Sequence, residues 1–225
     1  QRLIRSCMVE PFPFNSLPEL VTEGQTRRKP RGPAVTADQT RFAYATRLNG
    51  FKADAAKVWP GRNRITSLDL IERAATVPGL SAVDFNFPDH LERTTAKDIR
   101  AKLDSLGISL NGFAMRYYSD PGFKKGALCH PDKAMRAKAL DLTLRGLDAL
   151  AEAGGDLMTL WLGQDGFDYA FQADYLRLWD EAAAALTMIA AHNPAIDISI
   201  EYNLIFNFST LCNFACNLHI CDRSW

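Results

Sequence analysis

The stretch AIDISIEYN, residues 195–203, sets Ile196, Ile198 and Ile200 against Asp197, Ser199 and Glu201. Alternation of apolar and polar residues at period two is the mark of a strand. The stretch follows a long helical pattern, ADYLRLWDEAAAALTMIAAHN (173–193). A strand placed after such a helix is expected to lie parallel to the strand before it, with both faces covered. If the three isoleucines face the covering helices, Glu201 takes the last position on the opposite face. A carboxylate there is costly unless it is solvated, paired or bound to a cation.

Working back along the chain, the same alternation of strand and helix recurs. RFAYATRLN (41–49), SAVDFNF (81–87), ISLNGFAM (108–115) and DLMTLWLG (156–163) read as strands. TSLDLIERAATV (66–77), TTAKDIRAKLDSLG (94–107) and DKAMRAKALDLTLRGLDALAEAGG (132–155) read as helices. Thr66 with Asp69, and Thr95 with Asp98, stand three residues apart at the helix starts, the spacing of a capping box. Pro78-Gly79 and Gly107 mark helix ends. Strands separated by helices predict parallel βαβ units with right-handed crossovers. The expected fold is therefore α/β, a partial (β/α)8 TIM barrel of about five βα units. An open doubly wound sheet is the other architecture with this rhythm. The first strand is followed by neither a Gly-x-Gly-x-x-Gly nor a phosphate-loop motif, which counts against a nucleotide site.

The texture of the chain divides it in three. Residues 1–40 contain TRRKPRGPAVT and no sustained periodicity, and are expected to form a flexible or non-native extension. Residues 41–202 carry the barrel pattern. Residues 203–225, NLIFNFSTLCNFACNLHICDRSW, follow no βα rhythm and read as an atypical tail. A complete barrel takes about 250 residues, and the fifth strand ends at Glu201. The chain is therefore expected to be truncated after that strand.

With 225 residues, 47% of them apolar, the chain is long enough for one sizeable core. The formal net charge is zero, so nucleic acid and anionic membranes are not expected as partners. No apolar run approaches the roughly 18 residues of a membrane span. Five unevenly placed cysteines make no disulfide framework in a chain this large, and a cytoplasmic, reducing setting is expected.

In a barrel the polar groups that matter stand at the C-terminal strand ends. Glu201 holds that place on the fifth strand. On the fourth, Trp161 shares a parity with Thr159 and faces inward, an aromatic wall suited to a sugar ring, or else a core residue. On the second, Asp84 and Asn86 share a face, with Asp89 and His90 just beyond. Asn86 and His90 could hydrogen-bond substrate hydroxyls, although a loop histidine is commonly only solvated. Cys129 and His130 are adjacent in sequence and poorly placed to share a metal. Cys212, Cys216, His219 and Cys221 could form a zinc cluster, but their spacing fits no usual finger or ribbon.

LMTLWLGQDGFDY resembles the fourth-strand segment of xylose isomerase-like TIM-barrel proteins, and ISIEYN resembles their fifth strand. RFAYATRLNGFKAD and VDFNFPDH look like the rhamnose and xylose isomerase branch. The resemblance covers about residues 41–202. It implies aldose–ketose isomerisation of a monosaccharide with a divalent metal, Mn, Mg or Co. It also implies a metal-binding role for Glu201 and sugar packing for Trp161. A hard cation held by oxygen ligands would polarise the carbonyl and hydroxyl between which hydrogen moves. Where the family has Lys two residues after this Glu, the chain has Asn203, and the family's later ligands have no counterpart here. A non-catalytic remnant, a sugar epimerase and an abasic-site endonuclease of the same superfamily are the alternatives. The last would want a basic face over residues 41–202, and none stands out. An open sheet edge leaves room for a homo-oligomer.

Overall fold

The structure is a computed structural model that describes residues 43–62, 64–162, 165 and 173–201. Five parallel strands form one sheet in the order of the sequence: β1 (Tyr44–Arg47), β2 (Leu80–Phe87), β3 (Ser109–Met115), β4 (Leu157–Trp161) and β5 (Asp197–Glu201). The connections run through α1 (Ala55–Val58) and α2 (Ser67–Ala75), then α3 (Ala96–Leu106), α4 (Lys133–Glu152) and α5 (Tyr175–His192). This is the α/β arrangement of a partial (β/α)8 barrel. The expected boundaries of residues 1–40 and 203–225 lie outside the described residues, as does the candidate cluster of Cys212, Cys216, His219 and Cys221.

Both capping boxes form. Thr66 accepts from the Asp69 N–H while the Asp69 carboxylate accepts from Thr66, and Thr95 and Asp98 repeat the exchange. Each box satisfies donors that a helix start otherwise leaves open. Gly107 closes α3 in the left-handed region at φ 67°, where a Cβ would be unfavourable. The first strand is shorter than its pattern suggested. After Arg47 the chain turns into a 3-10 segment, Leu48–Lys52, which buries Leu48 completely.

The register fixes which side chains share a face. Val83, Phe85 and Phe87 of β2 align with Leu110, Phe113 and Met115 of β3, and Phe113 with Met158 of β4. These residues face the helices and build the core with Leu70, Ile71, Ile99, Leu103, Leu147, Leu150 and Ile189. Phe85 and Phe113 lie 5.7 Å apart, and Phe87 stacks on Phe113 at 6.4 Å. Burying one such ring contributes about 1.5–3 kcal/mol, so this aromatic tier is a main source of stability. The opposite face carries Arg47, Asp84, Asn86, Asn111, Thr159, Trp161, Ser199 and Glu201. The alternation read from residues 195–203 is thus realised, with Ile198 and Ile200 towards the helices and Glu201 half-exposed on the other face.

The segment after β3 is pinned from both sides. Tyr117 turns into the core, where its hydroxyl lies 2.7 Å from the Thr143 hydroxyl of α4. Its ring meets Phe123 edge-on at 6.0 Å. Because Tyr117 points down, its neighbour Tyr118 is presented upward at the strand ends.

Candidate functional site

The strand ends bring together residues far apart in sequence. Arg47, ending β1, donates to the Glu201 carboxylate, ending β5, at 3.0 Å. Glu201 pairs in register with Trp161 at the end of β4. Trp161 meets Tyr118 edge-to-face at 4.7 Å and 85°, and the Arg116 guanidinium sits 4.3 Å over the Tyr118 ring. The Arg116 N–H donates to the Phe87 carbonyl at 2.8 Å, joining this strip to the end of β2. Burial pushes the Tyr118 phenol above its usual range. Arg116 and Arg47 pull it down, while Asp89 and Glu201 push it up. Tyr118 is thus the meeting point of the charges around the mouth.

Of the residues singled out from sequence, Glu201, Trp161 and Asn86 share this face. Asn86 is 2% exposed, and its amide nitrogen Nδ2 has no hydrogen-bond partner. His90 has a different setting from a solvated loop histidine. It is buried; its Nδ1 accepts from the Asn86 N–H at 3.0 Å, and its Nε2 lies 2.8 Å from Asn49 Oδ1. With Nδ1 an acceptor, the proton belongs on Nε2, donated to Asn49. Burial, and then the Lys52 cation, lower the His90 pKa to about 4. The ring is therefore neutral near pH 7 and orients the turn that carries Asn86.

Sequence reasoning passed over Arg47, Arg116, Tyr118 and Asp165. The first three sit at or just beyond strand ends, which is the positional signal that could have found them. Asp165, in the loop after β4, is buried among backbone donors. Its carboxylate accepts from the N–H groups of Ala127 and Cys129, with Leu128 as a third donor. Burial raises its pKa to about 6 against the opposing pull of those N–H groups. This carboxylate clamps residues 126–129 to the β4 loop. Cys129 is buried beside Leu178, and burial raises its thiol pKa. His130 Nδ1 accepts from the Asp132 N–H at 3.0 Å. Neither is arranged with the other as a nucleophile or metal pair.

The fit of a divalent cation can be tested on the donor set. Among the described residues no three His, Cys, Asp or Glu side chains gather to hold a metal. Glu201 brings one carboxylate, already engaged by Arg47, whereas Mg and Mn take about six ligands. The described residues do not by themselves fit the ion. Among the described residues no helix is long and apolar enough to cross a membrane.

The architecture is that of a partial α/β barrel with polar residues gathered at its strand ends. No family model matches the chain. In sequence it is 27% identical over 139 residues to the xylose isomerase of Thermus thermophilus, covering 58% of this chain and 36% of that protein. It is 34% identical over 91 residues to the xylose isomerase of Paraburkholderia phytofirmans, covering 40% and 21% respectively. The chain thus matches about a third or less of the length of these relatives. In structure it is similar to an L-ribulose 3-epimerase, with a TM-score of 0.55 at 16% identity over 77% of this chain and 56% of that one. It is likewise similar to D-psicose 3-epimerase from Clostridium cellulolyticum H10, with a TM-score of 0.53 at 16% identity over 74% and 54%. At such identities the structural likeness is one of fold. In sequence and in fold the chain resembles the xylose isomerase-like TIM barrels.

Proposed function

We propose that the chain binds a monosaccharide at the mouth of the barrel, as a sugar isomerase or a portion of one that interconverts aldose and ketose. The observation that carries this reading is the placing of Asn86, Trp161 and Glu201 at the C-terminal ends of three strands on one face. That is the end of a parallel barrel where substrates bind. Trp161, partly exposed and braced by Tyr118, offers an apolar face to the C–H side of a sugar ring. Asn86 offers an unsatisfied donor to a hydroxyl. His90 acts through Asn86, by holding its backbone.

Glu201 is the strand-end carboxylate that a divalent cation (Mn, Mg or Co) would take on this face, in competition with Arg47. One carboxylate does not make such a site. The Arg47 contact favours a second reading, in which the face binds sugar without turning it over.

Thermal melts of the chain with and without millimolar Mn, repeated with monosaccharides, test the proposal. A cooperative melt raised by Mn, with the rise lost in Glu201→Gln, supports the isomerase reading through linkage. A melt raised by sugar but indifferent to Mn supports the second. A melt indifferent to both overturns the site.

A further inference from the structure

Two donors at the mouth lack acceptors, and they lie on adjacent strand ends. Asn86 Nδ2 is buried and unpartnered, and so is Arg116 Nε. Backbone pairing of Arg116 N–H with Phe87 O holds the two residues side by side. A buried donor without an acceptor costs about 1–3 kcal/mol, so two together call for an explanation in what binds there. The half-buried Arg116 guanidinium also has no carboxylate within ion-pair reach among the described residues. Its only described partner beyond the backbone is the face of Tyr118. The nearby carboxylates have other partners. Glu201 accepts from Arg47, and Asp89 accepts from the Ser119 hydroxyl at 3.1 Å.

We infer that Arg116 and Asn86 bind an oxyanion carried by the sugar, so that the ligand of this mouth is an acidic monosaccharide. This rests on the monosaccharide site proposed above and narrows its substrate class. The Nε edge of a guanidinium presents parallel N–H groups that match two oxygens of a carboxylate or phosphate. Asn86 supplies a third donor from the neighbouring strand. The sugar ring then lies towards Trp161, on the far side of Tyr118 from the anion. A neutral sugar leaves the Arg116 charge without a partner.

The test is a titration of the full chain, by calorimetry and tryptophan fluorescence, with D-glucose, D-glucuronate and D-glucose 6-phosphate, and with the galactose counterparts. Either acid form is expected to bind about tenfold or more tighter than its neutral sugar, as hydrogen bonds to a charged group predict. A preference for uronate identifies a carboxylate as the anion, and a preference for the ester identifies a phosphate. Arg116→Gln is expected to bring the acid down to the neutral sugar's affinity, and Arg116→Lys to restore only part of the difference. Asn86→Leu removes a buried unpaired donor, so it is expected to hold or raise the melting temperature while weakening the acid. Equal affinity for neutral and acidic sugars, or a preference that survives Arg116→Gln, overturns this inference and leaves the sugar site standing. No binding of any sugar overturns both.

Discussion

Arg47 at the end of β1 and Glu201 at the end of β5 form an ion pair at 3.0 Å, although three strands lie between them in the sheet. The sheet must curl for the contact to form. The side chains remain 51% and 45% exposed, which places the pair among surface ion pairs of modest worth. Arg47→Met and Glu201→Gln are each expected to lower stability by about 0.5–1 kcal/mol. The double variant should lose no more than the larger single loss. Urea unfolding in a double-mutant cycle measures this, and a coupling of zero would mean that the pair adds nothing to stability.

The capping boxes make a second case. Thr95→Ala is expected to cost about 1 kcal/mol at pH 7 by the same urea assay. The Asp98 pKa is lowered by the Thr95 hydroxyl and then by the Thr95 N–H. A carboxylate depressed on folding stabilises above its unfolded value and loses that contribution as pH falls through the folded one. The gap between wild type and Thr95→Ala should therefore narrow below about pH 4. A gap independent of pH would show that the carboxylate takes no part.

His90 and Asp165 act on stability with opposite sign over one pH range. His90 falls on folding from 6.5 to about 4, so the unfolded chain binds more protons and stability drops as pH falls from 6.5 towards 4. Asp165 rises on folding from 3.8 to about 6, so its contribution is full below 3.8 and is lost as pH climbs through 6. Each masks the other. His90→Gln is expected to leave a chain that weakens as pH rises from 4 to 6, and Asp165→Asn one that weakens more steeply on acidification. Chemical denaturation at several pH values separates the two, and parallel profiles for both variants would refute the assignment.

Gly112, where β3 approaches β4, has no room for a side chain. A Cβ there would stand 2.6 Å from the Leu157 carbonyl oxygen, a backbone atom that cannot swing aside. Gly112→Ala is expected to cost about 2 kcal/mol through forced separation of the strands. A melting temperature equal to that of the wild type would show that the strands have slack.

The parts of the fold legible in the sequence are those written in local spacing. Thr66 with Asp69 and Thr95 with Asp98 announce their helices because a cap is made within one turn. Glu201, Trp161 and Asn86 could be assigned a common face because side chains alternate strictly along a strand. The Arg47 contact could not, because it depends on curvature accumulated over five strands. The Asp165 clamp was hidden for a related reason: its partners are backbone N–H groups 36 to 38 residues away, and they have no sequence signature. His90 looked like a solvent-facing loop residue because nothing nearby in sequence reveals that Asn49 waits for its second nitrogen.

The strand order that matches the chain order has a kinetic consequence. Each strand finds its partner in the next one along, so a chain emerging from the ribosome can complete every pairing as the segment arrives. The Arg47–Glu201 contact, 154 residues apart, is the exception and must wait for the end. An interaction formed after the rate-limiting step slows unfolding without speeding folding. In stopped-flow experiments Glu201→Gln should therefore unfold faster than the wild type and refold at the same rate. The clasp acts as a brake on leaving the native state and plays no part in reaching it.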